Sequence, residues 1–283
     1  MKRKVTITIC ILIFLVALTI TIYPLLSNLY NTKHQAKLYT KYTEKINNSP
    51  VTRLEEERAK AKEYNEALAQ GKSGTAEYND ILNLSGDGIM GYVNVPKIDI
   101  TLPIYHSTAA DVLENGIGHM PMSSLPIGGN NTHSVLTAHS GMSSQKMFSD
   151  IDTLVVGDVF YIDVLGEQLY YSIYEISVVL PYETQKLQLE SGKDKCSLVT
   201  CTPFGVNTHR LIVTAERIEV LEDPTASELT DASLKAQHTG STWEKEYKKA
   251  ILVGVCVFSA ILFFCIGINL VRTKRKRFKE MKK

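Results

Sequence analysis

Apolar and polar positions change period several times along the chain. Val5 to Ile22 and Ala250 to Val271 are apolar runs without a charged residue. At about 1.5 Å rise per residue the second is long enough to cross roughly 30 Å of hydrocarbon. From Asn28 to about Asn83 the chain is polar and rich in helix formers. Thr52-Arg53-Leu54-Glu55 has the form of a capping box and predicts a helix through roughly Gln70. Leu54, Arg58, Ala61, Asn65 and Leu68 give it a thin apolar stripe, which suits either a helix packed at one edge or a solvated spacer. Gly71-Lys72-Ser73-Gly74 breaks it, and Ala76 to Leu84 is read as another helical turn or two.

From Gly88 the period shortens to two. Strands are predicted at Gly91–Val95, Ile98–Ile104, Ser134–Ala138, Val159–Val164, Gln168–Val179, Ser197–Cys201 and Arg210–Val220, short and rich in Val, Ile and Tyr. Gly128-Gly129-Asn130-Asn131 and Gly157-Asp158 supply turns, and Gly166-Glu167 between two strands predicts a hairpin. Helical pieces are expected near Ala109–Asn115 and Gln145–Ile151, the latter placing Met147-Phe148 on the sheet. Short strands with few helices predict a mainly β fold, a closed barrel or a sandwich. Glu219 to Tyr247 is polar without strong periodicity and reads as a linker, with Trp243 and Tyr247 suited to a membrane interface.

Composition refines this picture. The chain has 283 residues, a formal net charge of +1 and 44% hydrophobic residues, enough for a packed core and no broad basic face for nucleic acid. The charge is segregated: Lys2, Arg3 and Lys4 precede the first apolar run, and Arg272, Lys274, Arg275, Lys276, Arg277 and Lys279 follow the second. The positive-inside rule then places both termini in the cytoplasm and the middle of the chain outside. Tyr23-Pro24-Leu25-Leu26-Ser27-Asn28-Leu29 offers no small-x-small cleavage site, so the first run is read as an uncleaved anchor. Cys10, Cys256 and Cys265 lie in the apolar runs, leaving Cys196 and Cys201 outside. Their odd spacing on one strand points them to opposite faces, which argues against a disulfide. No metal-ligand spacing, phosphate loop or nucleotide fingerprint is present, so neither metal nor cofactor is implied.

The candidate chemistry lies in Ser197-Leu198-Val199-Thr200-Cys201-Thr202-Pro203-Phe204-Gly205-Val206-Asn207-Thr208-His209-Arg210. A strand delivers Cys201 at its end, a Pro-Gly turn follows, and a second strand begins at Arg210. A thiol facing a guanidinium across a loop is a nucleophile beside a fixed positive charge, which favours the thiolate. Taken alone, a buried structural cysteine and a surface arginine are the commoner arrangement. A third strand, His133-Ser134-Val135-Leu136-Thr137-Ala138-His139-Ser140-Gly141, ends at His139. Cysteine, histidine and arginine at three strand ends can run acyl transfer through a thioester. His133 and His209 rival His139 on chemistry, but their positions read as structural or solvent-facing.

These residues resemble the sortases, membrane-bound cysteine transpeptidases of Gram-positive bacteria. The likeness lies in Leu198-Val199-Thr200-Cys201, in Arg210 nine residues after the cysteine and in Thr137-Ala138-His139 upstream, and it runs from about Gly88 to Val220. Gly88-Ile89-Met90-Gly91-Tyr92-Val93-Asn94-Val95-Pro96-Lys97-Ile98, Leu102-Pro103-Ile104-Tyr105-His106 and Gly116-Ile117-Gly118-His119-Met120-Pro121 also match in order. Ser197 replaces the first Thr of the family pattern. With the C-terminal apolar run, the resemblance is greatest to class C, the pilus-assembling sortases.

The resemblance implies an eight-stranded barrel over 88–222, a helical segment over 28–87, an N-terminal anchor over 1–27, a linker over 223–249, a membrane helix over 250–271 and a basic tail over 272–283. It implies Cys201 as nucleophile, Arg210 stabilising the oxyanion and orienting the substrate, and His139 as general acid and base. Thr200, Ala138 and Ser140 are the candidate substrate-binding residues. The implied substrates are proteins bearing an L-P-x-T-G-like sorting signal, cut between Thr and Gly and joined to a pilin lysine or to a peptidoglycan cross-bridge amine. Many pilus sortases carry an Asp-Pro-aromatic lid before the barrel; between Tyr64 and Gly88 this chain has no Asp-Pro pair, Phe or Trp. The expectation is that the lid is absent and Cys201 accessible. From a different class, a two-span adhesion protein with an incidental cysteine also suits the pattern.

Overall fold

Strand register, more than any single loop, sets where the chemistry sits. The computed structural model describes residues 2–72, 78–140, 142, 145–219, 249, 251–256 and 258–259. The chain divides into two compact units, Met1–Ile22 with Thr242–Lys283 and Tyr23–Ser241. In the first, Phe14 stacks on Phe258 with ring centroids 4.2 Å apart, and residues 251–256 are helical. Most of the predicted span 250–271, the basic tail and the linker 223–249 lie outside the described residues. Among the described residues one helix, Ile11–Asn47, is long and apolar enough to cross a membrane.

In the second unit a closed barrel has the strand order β1-β2-β3-β4-β7-β8-β6-β5. The strands are β1 (Ile89–Val95), β2 (Ile100–His106), β3 (Ile117–His119), β4 (Thr132–Thr137), β5 (Val159–Val164), β6 (Glu167–Val179), β7 (Asp194–Thr202) and β8 (His209–Arg217). The chain is mainly β, as expected. β5 keeps its predicted bounds and the others shift by one to three residues. β3 has too few residues to carry a period and is legible only as a matched tripeptide. Leu165 and Gly166, with φ of 51° and 81°, make the two-residue turn between β5 and β6; positive φ at both positions matches the twist of the flanking strands.

Helices cover the barrel's outside. In α1 (Lys2–Asn47) Tyr39 and Tyr42 set their rings 4.9 and 5.2 Å from Tyr92, and the Tyr42 hydroxyl donates to the Met90 carbonyl. That cover explains why all seven residues of β1 are buried, a continuous run rather than an alternation. α2 (Val51–Ala69) starts one residue before the expected cap: Pro50 is the N-cap residue and no side chain caps it, so the capping box does not form. Nor is α2 a solvated spacer. Glu57, Ala61, Tyr64, Asn65 and Leu68 are buried. Asn65 exchanges two hydrogen bonds with the Leu125 backbone at 2.7 and 3.1 Å, and Glu57 accepts the Leu82 N–H at 2.9 Å.

Two further helical expectations are corrected. Residues 78–82 are turns, with Leu82 at φ 64°, which no helix continues; Ile81, Leu82 and Leu84 plug the core instead. Gln145–Ile151 is not an α-helix: residues 147–150 are a turn with Met147 at φ 43°, which no helix continues, and a 3₁₀ helix follows at Ile151–Thr153; Met147 and Phe148 are buried in the core, as expected. α3 (Ala110–Asn115) matches its expectation.

Candidate active site

β4 runs parallel to β7, and β7 antiparallel to β8. Thr137 pairs with Val199, so the register carried two residues further brings His139 abreast of Cys201. The Ala138 N–H donates to the Val199 carbonyl at 3.2 Å and the Thr200 hydroxyl to the Ala138 carbonyl at 2.7 Å, which holds that register past the last ladder pair. On the other side Cys201 pairs directly with Arg210, and Arg210 with Val179 of β6. Residues abreast in a sheet share a face. Cys201 and Arg210 therefore share a face, and His139, two residues past the end of β4, continues their row.

The face they share is the outer one. Cys196, Leu198 and Ala138 belong to the main core, whereas Val135, Val199 and Ile212 form a separate small cluster on which Met120, Val179 and Leu187 pack. Cys201 has the parity of Val199, Arg210 that of Ile212 and His139 that of Val135. The small cluster is thus the apolar bed beneath the row. A sequence reading that seeks one apolar face per strand misses it, although Val135, Val199 and Ile212 stand in every one of these strands.

Cys201 is a free, half-buried thiol. Cys196 is also free but fully buried, and burial pushes its thiol well above the ordinary range. The two point to opposite faces, as their spacing predicts. His139 is half-buried, and its carbonyl accepts the Phe148 N–H at 3.1 Å, turning the following loop back. Arg210 Nη1 donates to the carbonyls of Asn207 and His209 at 3.2 and 3.0 Å, which holds the guanidinium at the mouth of the β7–β8 loop. Its Nη2 and Nε make no hydrogen bond among the described residues. Phe204 and Val206, 73% and 65% exposed, project from that loop.

Thr200 and Ala138 are not in the row. Both are buried, Thr200 has the parity of Leu198, and its hydroxyl is committed to the strand before His139. Ser140 is half-buried beside His139. His209 stands at the edge of the loop with Nδ1 2.9 Å from the Thr208 hydroxyl, and His133 is buried far down β4. Among the described residues no group of three His, Cys, Asp or Glu side chains could hold a metal ion.

A cleft of about 960 Å³ lies elsewhere, between α2, residues 127–132 and residues 189–191. From Thr132 to His139 is about 23 Å along the strand, so the cleft belongs to the barrel's other end. His139, Cys201 and Arg210 are each half-buried, so the row is within reach of solvent. A thiol, a permanent guanidinium and an imidazole in one line can attack a carbonyl, stabilise the oxyanion and move the proton of the leaving amine.

Residues 93–218 match the family model described as a sortase domain. The chain is 32% identical to sortase A of Streptococcus agalactiae serotype III over 143 residues, 50% of this chain and 57% of that protein. It spans less than two thirds of the curated relatives it matches, at 57%, 63% and 60%. Among solved structures, sortase C1 from Streptococcus agalactiae is 40% identical with a TM-score of 0.62, covering 65% of this chain and 98% of that one. Clostridium perfringens sortase C with the C-terminal cell wall sorting motif is 41% identical with a TM-score of 0.59, covering 65% and 99%.

Proposed function

The chain belongs to the sortase family, and from that premise we propose that it is a membrane-anchored cysteine transpeptidase of the pilus-assembling kind. What supports the reading is the register that pairs Cys201 with Arg210 and, carried two residues past the end of β4, sets His139 abreast of Cys201. The Cys201 thiolate attacks the carbonyl carbon of the Thr–Gly bond in an L-P-x-T-G-like signal. Arg210 donates to the oxyanion that forms. As the C–N bond breaks, His139 gives its proton to the departing glycine amine, leaving a thioester on Cys201. An incoming amine then attacks the thioester, His139 takes its proton, and Cys201 leaves as the thiolate.

A pilin lysine is the acceptor that the likeness to class C structures favours. The apolar helix Ile11–Asn47 and the basic residues flanking both apolar runs support an anchored chain with both termini cytoplasmic and the barrel on the outer face.

The test is mass spectrometry of the full chain in detergent with an L-P-x-T-G peptide library. A thioacyl adduct on Cys201, absent in Cys201→Ala and Arg210→Ala and stalled in His139→Ala, is the expected result. A folded chain with a titrating thiol and no adduct from any peptide overturns the reading. Transfer to a cross-bridge amine in preference to lysine changes the acceptor and leaves the chemistry.

A further inference from the structure

His133 and Ser197 are joined in the structure. His133 is 1% exposed, with Nδ1 2.9 Å from the Gln188 carbonyl and Nε2 2.8 Å from Ser197 Oγ. Ser197 Oγ lies 3.1 Å from Thr214 Oγ1. A carbonyl only accepts, so Nδ1 carries the ring proton and Nε2 accepts from the Ser197 hydroxyl. Ser197 in turn accepts from Thr214. Hydrogen bonds thus run in one direction from β8 through β7 and β4 to the loop between β6 and β7.

That loop reaches the candidate active site. Its 3₁₀ turn, Gln185–Leu187, places Leu187 on Val135, Val199 and Ile212. Val199 and Ile212 pair one same-face step before Cys201 and Arg210, about 7 Å along the strands. At its far end the loop is tied to residues 131 and 132, the Gly192 N–H donating to Asn131 Oδ1 at 2.7 Å and the Thr132 N–H to the Lys193 carbonyl at 3.1 Å, and Lys193 pairs with Glu216. Nearer Leu187 the other ties are ion pairs with exposed members: Lys186 with Glu175, both about 40% exposed, and Lys195 with Glu190, whose carboxylate is 57% exposed. Such pairs hold weakly. On the Leu187 side the buried imidazole bond is the firm one. Burial, with the Lys195 charge adding to it against Glu190, pushes His133 down to about 4 and keeps Nε2 an acceptor near neutral pH.

We propose that His133 is a positioning residue for the acyl donor: through the Gln188 carbonyl it latches the β6–β7 loop onto the strand face, so that Leu187 walls the approach to Cys201. The donor-binding half of this rests on the transpeptidase reading; the latch does not. Releasing the loop lowers the fraction of molecules with a formed groove, and apparent donor affinity falls by that fraction while the chemical step is untouched.

The full chain in detergent is compared with His133→Ala, His133→Asn and Ser197→Ala by amide hydrogen exchange and by cleavage kinetics on an L-P-x-T-G peptide. In His133→Ala, amides of residues 183–191 exchange about tenfold faster while those of β7 and β8 hold; KM rises about tenfold and kcat stays within about twofold. His133→Asn, which keeps a donor near the Nδ1 position, restores most of both. Ser197→Ala keeps the ring but frees its tautomer, giving the same direction at about threefold. It decides the matter should His133→Ala fail to fold. Unchanged loop exchange overturns the latch, and faster exchange with unchanged KM overturns the role in donor binding. A wild-type chain that cleaves no peptide overturns the reaction and the donor role together, while exchange still decides the latch.

Discussion

Cys196 and Cys201 are five residues apart on β7 and chemically far apart. One thiol is sealed in the core with its ionisation disfavoured; the other opens on the outer face opposite a guanidinium. A thiol reagent is accordingly expected to modify Cys201 in the folded chain and Cys196 only after denaturation, read by peptide mass mapping. Arg210 is held by two carbonyls of its own loop, so the position of its planar fork is preset. Arg210→Lys keeps the charge and loses the fork. We expect kcat/KM to fall about 100-fold or more in that variant, with Cys201 labelling unchanged.

At the scale of elements, most of the barrel is legible in the alternation of apolar and polar residues. The strands carrying Cys201 and Arg210 are predicted in the right place, with β7 starting three residues earlier and β8 ending three residues earlier than expected, and the opposed parity of Cys196 and Cys201 holds in the fold. What alternation cannot show is pairing. That β4 lies parallel beside β7, which puts His139 in the row, is a contact between residues 62 apart and leaves no local trace. α2 is ambiguous in sequence for a related reason: two of its five buried residues are Glu57 and Asn65, polar residues whose partners, Leu82 and Leu125, belong to other segments. Asn65→Ala leaves the buried Leu125 N–H unpaired, its carbonyl keeping the Ile127 N–H, and chemical denaturation is expected to show a loss of about 2 kcal/mol. The segment after α2 lacks the Asp-Pro-aromatic lid, and Tyr78 there is turned away into the barrel, its hydroxyl bonded to His119 and to the Ser107 N–H. Cys201 labelling within about tenfold of a free exposed thiol is the expected rate in the full chain, and markedly slower labelling overturns the open site.

Across the whole molecule, the buried histidines set the acid limit. His119 is wholly buried, accepting and donating among Tyr78, Ser123 and the Ser124 carbonyl, and burial pushes it down to about 4, as it does His133. The folded state thus binds fewer protons than the unfolded state between about 6.5 and 4. Stability is full above the unfolded value and falls as pH drops through that window, by on the order of 2–3 kcal/mol per histidine. Denaturation midpoints measured from pH 7 to pH 4 should fall steadily, and His119→Gln should flatten the slope if the amide keeps the Tyr78 and Ser124 bonds.

The parallel pairing of β4 with β7 also bears on when the enzyme becomes reactive. A non-local pairing forms only after a long loop has closed. Until then Cys201 lacks the imidazole beside it, whereas Arg210 arrives with the local β7–β8 hairpin. An unfolded chain therefore carries Cys201 without His139 beside it. On the proposed transpeptidase reading, competence for acyl transfer is complete only once the barrel has closed.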